Sequence, residues 1–263
     1  MNKADEQPVA LEKSASGGGG VYALRFCLLF ASCVLVPLFL LCLPPAFPVV
    51  SLVWDWANGL GYLCLGLSAL LFIYTGKPAH FPPFSGRFFA NLHRDLGYLC
   101  LITAVAHILL LLAIEPLLLE HLKLTAPLYM LCGLVAAVLL FLLVLSSLTP
   151  VRRYLWQHYY RFRHHHAVIS TAFVVLLLVH VVGSGYYLNA AWKVATLVLF
   201  FSAVIIVYNA GKHRYRGSHL LVRLRNTQRY ASLVSYGVVL LLSILMLGGL
   251  WLAHHLFAMA ELV

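Results

Sequence analysis

Charge is scarce in this sequence: only 10% of its 263 residues are Asp, Glu, Lys or Arg. A soluble globular domain carries about 25%, so that class is excluded. Acidic groups are the scarcer sign, 8 against 18 Lys and Arg, for a formal charge of +10. No zinc finger, basic-region helix or RNA-binding aromatic motif accompanies that charge, which excludes nucleic acid as a partner. CxxC spacing is also missing. Cys27, Cys33, Cys42, Cys64, Cys100 and Cys132 all fall inside apolar runs, so they read as small buried hydrophobes. Gly17–Gly20 is not a phosphate loop, because no strand precedes it and no Lys-Ser/Thr follows.

What fills the chain is apolar, 62% of it, in long runs. Seven stretches, at 22–43, 53–75, 91–114, 125–148, 164–188, 191–210 and 231–257, are each about long enough to cross a bilayer. The fold class expected is therefore all-α, a polytopic membrane helical bundle. The loops after the second, fourth and sixth runs carry Lys77 and Arg87; Arg152, Arg153, Arg161 and Arg163; and Lys212, Arg214, Arg216, Arg223, Arg225 and Arg229. The opposite loops hold almost no cation. Basic loops stay cytoplasmic, so the amino terminus is expected inside and the carboxyl terminus outside, in what reads as a bacterial inner membrane.

An ionisable side chain within a span is costly and marks function by default. The third run carries His93 and His107, and the fifth opens on His164-His165-His166 and ends at His180. His93 to His107 is fourteen positions, as is His166 to His180. Fourteen residues bring both rings to one helix face, about 21 Å apart along the axis. Both runs cross in the same direction, so the pairs expected are His93 with His166 near the cytoplasm and His107 with His180 near the outside. Each pair offers two imidazoles to a flat, metal-centred macrocycle, and two such centres make an electron wire. His165 is the competing inner ligand; its spacing of fifteen turns the face by about 100°.

At these residues the sequence resembles the ferric reductase-like transmembrane domain family, which includes the membrane cytochrome b of ferric reductases and NADPH oxidases and the haem subunit of methionine-sulfoxide reductase. The likeness rests on His93-Arg94-x-x-Gly97, on His107, on Ser147 and Arg152 before Tyr159-Tyr160-Arg161-Phe162, and on the histidine cluster with His180. It implies haem b bound by His93, His107, His166 and His180: two haems, or one, since some members hold only one. Arg94 and Arg163 neighbour the inner ligands and are the candidates for the haem propionates. Bis-imidazole ligation leaves no open iron position and favours electron transfer.

The division expected is a disordered cytoplasmic tail at 1–20, a six-helix haem-binding core at 21–210, a basic cytoplasmic loop at 211–230 and an additional transmembrane helix at 231–263. Lys212–Arg229 has no GxGxxG and no room for the flavin and nicotinamide module of the oxidases. Electrons are therefore expected from a separate flavoprotein or quinol, bound for an acceptor at the outer face. The rival reading is a proton or metal transporter working through intramembrane histidines without haem.

His80, His121, His158, His213 and His219 read as solvated loop side chains, His254-His255 as an interfacial pair with metal capture or acceptor docking as the alternative, and Asp55 as an exposed carboxylate near a helix start with proton relay as the alternative.

Overall fold

The computed structural model describes residues 8–43, 51–75, 86–123, 125–156, 158–214 and 227–260. They form α1 (Pro8–Cys42), α2 (Leu52–Ile73), α3 (Gly86–Ile114), a 3-10 turn (Pro116–Leu122), α4 (Leu128–Ser147), α5 (Thr149–Leu155), α6 (Tyr159–Ser184), α7 (Ala191–Arg214) and α8 (Thr227–Ala260), with no strand among the described residues. The protein is an all-α polytopic bundle. Each apolar run lies in a helix. Five helices are long and apolar enough to cross a membrane, and α1 and α7 contribute the shorter apolar stretches Phe26–Cys42 and Ala191–Val207. α1 begins at Pro8 and takes in residues that composition assigns to the tail, and α7 continues to Arg214. Lys77, His80, Arg216, His219, Arg223 and Arg225 lie outside the described residues.

Helix is forced here by the solvent. Hydrocarbon offers no hydrogen bonds, so every backbone group must be satisfied within its own segment. Hydroxyls obey the same rule: Ser68, Ser235 and Ser243 each donate to the carbonyl one turn back, at 2.8, 2.9 and 2.8 Å. Large apolar side chains such as Ile102, Leu109, Leu199 and Leu240 point outward, which only a lipid environment accommodates.

α2 is the centre of the bundle. Leu63, Leu65, Leu67 and Leu70 are wholly buried, and α1, α3, α7 and α8 surround it. Gly66 lets α1 come close: a Cβ there would lie 2.9 Å from the Val34 Cα. The closest packing lies within two consecutive hairpins, α2 with α3 and α4 with α6. α3 and α6 themselves stand apart, and the α4/α6 hairpin meets α3 only lightly. His93 of α3 and His166 of α6 face each other across the space between those two helices.

Candidate functional site

The two hairpins hold a histidine in the same way. In the first, His107 Nδ1 donates to the Ala57 carbonyl at 2.7 Å, and Gly61, one turn on, leaves room for the ring, which a Cβ would approach to 3.1 Å. In the second, His180 Nδ1 donates to the Tyr129 carbonyl at 3.0 Å, and Gly133, again one turn on, makes the room. The carbonyl precedes its histidine by 50 residues in one hairpin and 51 in the other. A carbonyl can only accept, so Nδ1 must carry the proton and Nε2 the lone pair, the arrangement that readies an imidazole to ligate a metal. His180 stands within electrostatic reach of His107.

At the other end, His93 Nδ1 donates to the Tyr74 carbonyl at 2.7 Å, on the residue that caps α2. The corresponding residue of the second hairpin is Leu148, the C-cap of α4. Its carbonyl is already taken by the Arg152 N–H at 2.8 Å as α5 begins. His166 Nδ1 is accordingly buried with no hydrogen-bond partner. Its ring centre lies 6.1 Å from that of His93 and 5.3 Å from that of Phe162. The neighbouring histidines are turned elsewhere. His165 donates from Nδ1 to the Arg161 carbonyl at 2.8 Å and stacks on Trp156 at 4.4 Å, while His164 lies on the outer flank of α6 beside Val168 and Thr171.

These residues fit a planar metal macrocycle. An imidazole nitrogen sits about 2 Å from a first-row metal ion, so two rings gripping one metal from opposite sides have centres on the order of 6 Å apart. His93 and His166 meet that spacing. One turn beyond His93, nothing lies within 4 Å of where a Gly97 Cβ would stand, which leaves space beside the ring. Among the described residues no group of three or more His, Cys, Asp or Glu could hold a metal ion. Arg94 donates to Asp95 at 3.1 Å through Nε and through Nη2 and keeps 44% of its side chain exposed; Arg163 is exposed.

Asp55 corrects the sequence reading. It is fully buried, not an exposed helix-end carboxylate. Tyr187 donates its hydroxyl to Oδ1 at 2.5 Å, and His254 Nε2 bonds Oδ2 at 2.6 Å. His254 is thus no idle interfacial histidine. Lys193, also fully buried, donates to the Tyr187 carbonyl at 3.0 Å. At the opposite end Asp95, 2% exposed, accepts from Ser232 of α8 at 2.7 Å as well as from Arg94. Buried carboxylates therefore pin α8 to the histidine-bearing hairpin at both ends. Sequence offered only one hint of this, the cost of a carboxylate within an apolar helix.

Cations gather at the His93–His166 end. Arg87, Arg94, Arg152, Arg153, Arg161 and Arg163 lie there on α3, α5 and α6, as does Arg229 beside Ser232 at the start of α8.

No curated protein and no solved structure matches this chain. Residues 60–179 match the family described as ferric reductase like transmembrane component. The matched stretch holds His93, His107 and His166 and stops one residue short of His180. Over residues 60–179, then, this multi-pass membrane protein is similar to the ferric reductase-like transmembrane components.

Proposed function

We propose that the chain is a b-type cytochrome with two haems, which carries electrons across the membrane from a separate flavoprotein or quinol donor to an acceptor at the other face. The observation that carries this reading is the pair of matched notches, Ala57/Gly61 for His107 and Tyr129/Gly133 for His180, with His93 and His166 facing each other four helical turns away. Haem iron, when bound, supplies the one-electron chemistry.

The protein's own work is positional. Backbone carbonyls of α2, its C-cap and α4 fix three imidazoles in the Nε2-ligating tautomer, and hydrogen bonds of this kind raise ligand basicity. The outward apolar faces exclude water. His93, His107, His166 and His180 are the ligands in this reading, with Arg94 and Arg163 beside the propionates of the His93–His166 haem. The cation-rich end is the cytoplasmic one, which leaves the His107–His180 centre outside, in a bacterial inner membrane.

A dithionite-reduced minus oxidised visible spectrum of the purified chain, with haem counted per protein, tests the reading. Two b-type haems per chain are expected. Colourless protein from cells well supplied with haem would overturn it in favour of a transporter.

A further inference from the structure

The Tyr187–Asp55–His254 cluster lies outside the ligand set yet close to it. Asp55 precedes Ala57 by two residues on α2, and the Ala57 carbonyl holds His107. We infer that this cluster is a proton-binding site coupled to the His107–His180 centre, taking up a proton when an electron arrives there and releasing it when the electron leaves. The inference rests on the haem reading above.

An electron placed in a low-dielectric interior is an uncompensated charge, and its cost falls if a proton settles nearby. The cluster has the parts for that. Asp55 and His254 share a hydrogen bond at 2.6 Å, and Tyr187 supplies a second donor to the same carboxylate at 2.5 Å. His254 keeps 16% of its side chain exposed, which gives the pair a contact with the outside of the bundle at that end. Histidine is the side chain whose ordinary range makes proton exchange accessible near neutral pH.

The comparison with Asp95 sharpens the point. That carboxylate is also buried and also tied to α8, but its charged partner is Arg94, which never gives up its proton. Asp95 is locked as a fixed ion pair, whereas Asp55 has an exchangeable partner. The groups near Asp55 from the elements packed on α2 are Cys42 of α1, His254 of α8, and Tyr186 and Tyr187 of the α6–α7 connection; Lys193 of α7 reaches the Tyr187 carbonyl, and His107 of α3 reaches the Ala57 carbonyl two residues on. Lys193 holds the Tyr187 carbonyl and so helps to fix the Tyr187 backbone beside Asp55.

The step balances simply. With haem held by His107 and His180, an electron arriving from the donor would be matched by one proton from water beside His254 joining the Asp55–His254 pair. When the acceptor takes the electron, the proton returns to the same water, and no covalent bond other than the N–H or O–H changes.

Spectroelectrochemical titration of the haem-loaded full chain, repeated between about pH 6 and 8, reads this directly. One haem should show a midpoint potential that falls as pH rises, by up to about 59 mV for each tenfold drop in proton activity, while the other stays level. Asp55→Asn and His254→Gln should flatten that slope with both haems retained. His254→Gln, at the less buried partner, stands in should Asp55→Asn fail to fold. A level potential in the unaltered protein, or a slope that survives in His254→Gln, would overturn the proton site and leave the cytochrome reading intact. Pigment-free protein would instead sink that reading, and this site with it.

Discussion

A Cβ built on Gly133 would lie 2.6 Å from Nδ1 of His180. Real contacts do not come that close, so Gly133→Ala must push the imidazole off the Tyr129 carbonyl. The expected outcome is loss of one haem of the two, with a stability cost of about 1–3 kcal/mol for overpacking. Gly61→Ala, where the contact to His107 is 3.1 Å, should act in the same direction and more weakly. Haem-to-protein ratios of the two variants check the order; full pigment in Gly133→Ala would refute the notch.

His107→Ala and His180→Ala should each remove the same haem and leave the other reducible by dithionite. About half of the reduced absorbance is then expected in either variant, and no further loss in the double variant. If both single variants kept all their pigment and transfer activity, the ligand assignment would be wrong.

The histidine triplet yields a sharper contrast. His166 faces His93, whereas His165 is bonded to the Arg161 carbonyl and stacked on Trp156. His165→Ala should leave the spectrum unchanged, and His166→Ala should remove the haem shared with His93. The reverse result would mean that α6 turns by about 100° on loading.

Ser232 ties α8 to Asp95 at 2.7 Å, a hydrogen bond to a carboxylate. Bonds of that type contribute about 1.5–3 kcal/mol, so Ser232→Ala should lower the thermal unfolding temperature in detergent. Combined with Asp95→Asn, the losses should be less than additive, because both changes remove one interaction. Full additivity would show that the bond contributes nothing to docking α8.

Much of this architecture could be read from the chain alone. The seven apolar runs each lie in a helix because a bilayer demands that length, and no soluble compromise blurs the signal. The equal spacing of His93–His107 and His166–His180 was legible for a related reason: four turns of helix return a side chain to the same face. The notches were not. Gly61 and Gly133 stand in helices rich in small and apolar residues, and nothing in their spacing says which histidine each one faces. Asp55 and His254 are 199 positions apart, so only the packing of α8 on α2 reveals that they meet. Composition likewise assigned residues 8–20 to a tail, while α1 takes them in from Pro8.

The separation of α3 from α6 bears on how the molecule is assembled. Each hairpin can build itself from its own contacts, but α3 and α6 do not pack on each other directly and are joined through Tyr187 on Asp55, α7 on α2 and the light contact of α4 with α3. A pigment bolted across that seam would act as mortar as well as wire, adding its binding energy to the joint between the halves. Biosynthesis under haem starvation should then yield bundles whose α6 is loosely held against α3, an easy target for membrane proteases. Cofactor supply would thereby serve as the checkpoint that decides which copies survive.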